Sequence, residues 1–224
     1  MSTRPSLESA VEFAENPEPR CPCVLLLDTS ASMTGKPIAA LTEGVKTFRD
    51  NLVADPLASR RVEVAVVSFN STINVLQDFV TANRFEPPEL TCRGFTLMGS
   101  AINRVLSLIQ ARKTVYRANG VTYYRPWVLM ITDGEPQGEP DQVVQDATVR
   151  LQDAEIHRHV AFWAVGVQNA NMERLSQIVT RPPVLLNGLN FTKMFLWLSA
   201  SMQKVARSEM DEQVALPPPG KRLA

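Results

Sequence analysis

Four apolar residues, Val24-Leu25-Leu26-Leu27, run without a polar break and stop at Asp28. A second uninterrupted run, Pro126-Trp127-Val128-Leu129-Met130-Ile131, stops at Thr132-Asp133-Gly134. Short apolar runs bounded by turn residues predict strands buried on both faces, as inside a parallel sheet. Residues 61–69 alternate instead, setting Val62, Val64 and Val66 against Glu63, Ala65 and Val67, which predicts a strand with one drier face. Asn70-Ser71 then turns the chain into residues 73–79, so that pair reads as an antiparallel hairpin with its second strand at a sheet edge. Residues 159–167 and 183–186 complete the strands.

A different period fills the gaps. Ile38, Leu41, Val45, Phe48 and Leu52 recur at steps of three and four, as do Ile102, Val105, Leu106 and Ile109. Val144, Ala147, Leu151 and Ala154 repeat the pattern, and so do Phe191, Met194, Phe195, Leu198, Met202 and Val205. These are helical stripes, with a shorter helix over 172–179. Strands alternating with helices predict an α/β fold: a doubly wound, mostly parallel sheet of about six strands, one antiparallel edge strand, and helices on both faces. The domain is placed at residues 21–207. Residues 1–20, polar and acidic, are expected to form a flexible arm, and residues 208–224 a flexible tail.

Composition narrows the function more by exclusion than by suggestion. Lys+Arg and Asp+Glu are 23 each, so bulk charge argues for neither nucleic acid nor an anionic membrane as partner. No apolar run reaches the length of a membrane span, and residues 1–20 lack the apolar centre of a secretory leader. Three cysteines fit a reducing cytoplasm better than a disulfide framework, and the chain is expected to act there as a monomer.

The candidate chemistry lies where the two apolar runs end. Asp28, Ser30 and Ser32 follow the first, at the carboxyl end of a central strand, where open α/β sheets hold ligands. Asp133 follows the second. If the strands are neighbours, the two carboxylates share one crevice and repel each other unless a cation lies between them. Thr96, in a loop bracketed by Gly94 and Gly99, reaches towards the same edge. Ser30 and Ser32 taken alone read as helix caps. Together with Thr96 and Asp133 they form an all-oxygen set suited to Mg²⁺ or Mn²⁺, with Ca²⁺ admitted by the same donors. Cys21-Pro22-Cys23 lacks the spacing of a zinc knuckle, and His157 and His159 read as surface or capping residues. Arg112, Lys113, Arg117 and Arg125 form either a solvated face or a dock for an acidic or phosphorylated partner.

Taken together, Asp28-x-Ser30-x-Ser32, Thr96 after Gly94-Phe95, and Ile131-Thr132-Asp133-Gly134 resemble the metal-ion-dependent adhesion site of von Willebrand factor A domains. The stretch from Tyr116 to Trp127, followed by Ile131-Thr132-Asp133-Gly134-Glu135-Pro136, resembles TerY-type proteins of bacterial tellurium-resistance and stress-response loci. The resemblance implies that Ser30, Ser32 and Thr96 bind Mg²⁺ directly while Asp28 and Asp133 act mainly through water. It also implies that a partner's Asp or Glu completes the coordination. An adaptor or scaffold role follows, beside a kinase or phosphatase of the same locus. Two positions depart from the family pattern: Ala31 replaces a usual Gly, and Phe95 replaces the commoner Gly beside Thr96. The Phe95 ring is expected either to anchor a partner beside the metal or to plug the core.

Two other functions compete with the adaptor. A Mg²⁺-dependent phosphatase using Asp28 as nucleophile needs a second carboxylate two residues on, where this chain has Ser30. A nucleotide-binding module needs a glycine-rich phosphate loop, and neither Gly-x-Gly-x-x-Gly nor the Walker pattern occurs.

Overall fold

In a computed structural model of the chain, residues 7–168, 170–209, 212 and 214 are described. The strands are β1 (Cys21–Asp28), β2 (Val62–Phe69), β3 (Ile73–Thr81), β4 (Trp127–Thr132), β5 (Ala161–Gly166) and β6 (Val184–Leu185). The helices are α1 (Leu7–Glu15), α2 (Lys36–Val53), α3 (Ala58–Arg61), α4 (Met98–Ala118), α5 (Asp141–Ile156), α6 (Met172–Ile178) and α7 (Phe191–Arg207). The sheet order is β3-β2-β1-β4-β5-β6, parallel throughout except for β3, which pairs antiparallel with β2. The expected mixed α/β sheet is therefore the observed one.

The two apolar runs are fully buried because each strand has helices on both sides. Cys23, Leu25 and Leu27 of β1, with Leu129 and Ile131 of β4, face α2 and α7. Val24 and Leu26, with Val128 and Met130, face α4, α5 and α6. Two close helix approaches depend on glycine. A Cβ on Gly44 of α2 would lie 2.5 Å from the Phe195 ring of α7, and one on Gly99 of α4 would lie 2.8 Å from the Val144 Cα of α5.

Chain order makes the site. β1 leads to β2 on one flank, and the crossover through α4 brings β4 to the other flank, so the order in which strands are added reverses between the parallel β1 and β4. Leu27 pairs with Ile131, which puts Asp28 and Asp133 at one edge. Such a switch point opens a crevice at the carboxyl ends of the strands.

Two expectations are corrected. Residues 7–15 are not a loose arm but the helix α1, since Phe13 packs edge-on against Tyr116 at 5.9 Å and is buried. The acidic residues that suggested solvation have partners: Glu12 pairs with Arg112 at 2.6 Å and Glu18 with Arg61 at 2.8 Å. Second, β2 has no wet face. Glu63 is wholly buried because Arg20, Arg112 and the Tyr116 hydroxyl all donate to it. The basic residues Arg112, Lys113 and Arg117 lie on the last turns of α4, which runs to Ala118. The expected tail over 208–224 lies mostly outside the described residues.

Candidate metal centre

At the β1–β4 crevice the residues are joined by a chain of hydrogen bonds. The Ser30 amide donates to Asp28 Oδ1 at 2.8 Å, and the Thr132 hydroxyl donates to Asp28 Oδ2 at 2.5 Å. Ser30 Oγ lies 3.0 Å from Ser32 Oγ, and Ser32 Oγ donates to Asp133 Oδ1 at 2.8 Å. Thr96 closes the other side: a Cβ on Gly134 would lie 3.3 Å from Thr96 Oγ1 and 4.0 Å from Asp28 Oδ2. Asp28, Ser30, Ser32, Thr96 and Asp133 thus meet in one place. Asp28, Ser30 and Thr96 are buried, Asp133 is half-buried and Ser32 is exposed, so the crevice opens to solvent on one side.

The local backbone explains the placement. Ser30 stands before a single 3₁₀ turn (Ala31–Met33), and its side chain makes no capping bond, which leaves the hydroxyl to the crevice. Ala31 donates its amide to the Gly94 carbonyl at 3.1 Å, and Arg93 donates to the Thr29 carbonyl at 2.9 Å. Ala31 is not among the described residues with positive φ, so an ordinary side chain is accommodated there without backbone strain.

Electrostatics set Asp28 apart. Burial pushes its carboxyl up to about 6, the bonds from Thr132 and Ser30 pull it back, and the Asp133 charge raises it again. None of those influences is a cationic side chain. Among the described residues no three His, Cys, Asp or Glu side chains gather as a metal-holding group, so a cation here relies on hydroxyl oxygen as well as carboxylate. The donor set fits a hard divalent cation, since all of it is oxygen and its two anions lie close together. Cys92 lies near enough for Asp28 and Asp133 to raise its thiol further after burial has done so, which disfavours the thiolate a soft metal needs.

The von Willebrand factor type A domain pattern matches residues 23–195. This chain belongs to that family. Autoinducer-2 kinase of Salmonella paratyphi B is 30% identical over 145 residues, covering 61% of this chain and 26% of that protein. The human collagen alpha-6(VI) chain is 29% identical over 184 residues, covering 78% and 7% respectively. The chain therefore spans about a quarter or less of these curated relatives. The solved von Willebrand factor type A structure from Catenulispora acidiphila superposes with a TM-score of 0.61 at 16% identity, covering 83% of this chain and 43% of that one. That likeness is one of fold.

The remaining candidates of this type A domain separate into two groups. Phe95 sits on the loop that carries Thr96 and is 58% exposed. The basic run sits at the opposite end of the sheet, and most of it is engaged inside the fold. Arg112 binds Glu63 and Glu12, the buried Lys113 donates to the His159 carbonyl at 2.6 Å, and Arg125 donates to the Val160 and Glu155 carbonyls. Backbone carbonyls, the buried Glu63 and the half-buried Glu12 already engage these three. Arg117 stays exposed, its Nε 3.5 Å from the Tyr123 hydroxyl. Sequence reasoning missed Thr132, although its place inside Ile131-Thr132-Asp133 was a usable signal. It also missed Cys92, for which no sequence pattern points to the crevice.

Proposed function

We propose that this chain is a divalent-cation-dependent protein-interaction module. Ser30, Ser32 and Thr96 would hold Mg²⁺ or Mn²⁺ directly, with Asp28 and Asp133 behind them. The cation would take an Asp or Glu carboxylate from a partner protein. One observation carries the reading: two close carboxylates and three hydroxyls converge on a crevice that opens to solvent, with no cationic side chain among the described groups acting on Asp28. Few anionic donors around an ion leave it able to attract another anion. The chain would work in the cytoplasm as an adaptor in a TerY-type stress-response or tellurium-resistance system, its partner a kinase or phosphatase of that system. The free thiols Cys21, Cys23 and Cys92 accord with a reducing compartment.

A phosphatase built on Asp28 is disfavoured by the same geometry. Both oxygens of that carboxylate already accept hydrogen bonds, the residue is fully buried, and the position two residues on is Ser30. The likeness to autoinducer-2 kinase covers 26% of that enzyme, and no glycine-rich phosphate loop is present here. The deciding measurement is calorimetric titration with Mn²⁺ of the wild-type chain and of Asp28→Ala. Binding by the wild type and none by the variant is expected, whereas equal binding by both refutes the site. Phosphomonoester hydrolysis that Asp28→Asn abolishes would instead install the enzyme.

A further inference from the structure

Phe95 adjoins Thr96, which is 4% exposed, yet its own ring is 58% exposed. A large exposed ring on a loose loop carries little information. This loop, however, is held at each residue. The Gly94 carbonyl accepts from Ala31 at 3.1 Å, the Phe95 amide donates to Ser71 Oγ at 2.9 Å, and the Thr96 carbonyl accepts from the Gln137 amide at 2.9 Å. Gly94 is required for this: its φ is +65°, and a Cβ there would fall 2.0 Å from Ser71 Oγ.

The ring also has a seat. Gly138 has a φ of +83°, and a Cβ on it would lie 2.9 Å from Phe95 Cβ and 3.1 Å from Cγ, so the base of the ring rests against bare glycine backbone. The next residue, Glu139, fastens that second loop to the start of α4. Its carboxylate accepts from the Gly99 amide at 2.6 Å and from the Ser100 amide at 2.9 Å. Two cross-bonded loops therefore present a fixed aromatic surface beside a metal-ligand residue. Pre-positioned aromatic side chains make effective binding anchors because little conformational freedom is lost when a partner covers them.

From this geometry we infer that Phe95 sets partner specificity by selecting an apolar side chain next to the partner's metal-seeking carboxylate. The inference rests on the cation-dependent reading above and deepens it. Phe95 and Thr96 are consecutive, about 3.8 Å apart along the chain. An extended partner segment advances about 3.4 Å per residue. The matching partner therefore places Leu, Ile, Met or an aromatic within about two residues of its Asp or Glu.

The test selects a displayed library of random linear peptides on the full chain, in Mg²⁺ and in EDTA, using wild type, Phe95→Ala and Phe95→Leu. The wild type is expected to enrich Mg²⁺-dependent peptides in which an acidic residue has an apolar neighbour within two positions. Phe95→Ala should keep the acidic preference, lose the apolar one and bind a wild-type-selected peptide about tenfold or more weakly, with its melting temperature unchanged. Phe95→Leu should restore most of that binding. Acidic peptides without an apolar preference, or an apolar preference that survives in Phe95→Ala, would overturn the inference and leave the functional reading intact. Absence of any Mg²⁺-dependent acidic selection would overturn both.

Discussion

Two buried carboxylates mark opposite ends of the sheet, Asp28 at the carboxyl end of β1 and Glu63 at the amino end of β2. Neither has exposed surface. Glu63 is surrounded by donors that match its charge: Arg20 at 2.9 Å, Arg112 through two nitrogens at 2.8 and 2.9 Å, and the Tyr116 hydroxyl. Among the described residues, Asp28 accepts from a backbone amide and hydroxyls, with a second carboxylate nearby. Burying a carboxylate is costly unless a cation answers it. At Glu63 the fold supplies the cations itself and so ties α1 and α4 to the sheet. At Asp28 no cationic side chain among the described residues pairs with the carboxylate, and the crevice is open to solvent. The first arrangement is structural, and the second has the form of a binding site.

The largest expected effect comes from breaking the self-contained end. Glu63→Ala leaves the fully buried Arg20 without its carboxylate and Arg112 with Glu12 alone, and should cost about 3–5 kcal/mol in urea unfolding. Mn²⁺ binding by the fraction still folded should be unaffected, because the crevice lies at the other end.

Asp28 should behave in the opposite sense. Its folded pKa, about 6, lies above the ordinary 3.8. A raised carboxyl favours the protonated form, so its stabilising contribution is complete below about 3.8 and is lost as pH rises through about 6. In chelator at pH 7.5, Asp28→Asn should therefore be the more stable protein, by up to about 3 kcal/mol. The advantage should shrink as pH falls from 6 towards 4. A pH series of denaturation midpoints for the two proteins measures it, and a constant difference would contradict the burial argument.

A cation should relieve the same cost. At about a hundred times its Kd, Mn²⁺ is expected to add about 2.7 kcal/mol to wild-type stability by mass action. The increment should vanish in Asp28→Ala and diminish in Ser32→Ala, as read by thermal melts at several Mn²⁺ concentrations. The smallest effect belongs to Phe95→Ala. Its exposed ring contributes little to the core, so stability should change by less than about 0.5 kcal/mol. A buried ring would have cost roughly 3 kcal/mol, and calorimetry separates the two.

Much of this was legible beforehand for a simple reason. Residues 24–27 and 126–131 are apolar without a break because both faces of a central parallel strand are covered by helices, and the helical stripes repeat because one face of each helix meets the sheet. The type and order of these elements are properties of local sequence. So are the five oxygen donors, whose side chains are of one chemical kind and sit just after strands or in a glycine-bracketed loop.

Other features resisted reading because their causes are distant along the chain. Glu63 looked like an outward polar position, since alternation records polarity and not partners. Its cations come from Arg20 and Arg112, 43 and 49 residues away. Residues 7–15 looked solvated for the same reason, and Lys113 and Arg125 looked free because carbonyls carry no sequence signature.

The sequence by itself determined which strands are central, which side chains can offer hard oxygen, and that two aspartates end the two driest runs. The tertiary structure alone decided that β1 and β4 are neighbours and that Thr96 closes their crevice. It also decided that Phe95 lies against Gly138 and faces out. Pairing and loop docking are settled by long-range packing and hydrogen-bond geometry, which join residues that local pattern cannot connect.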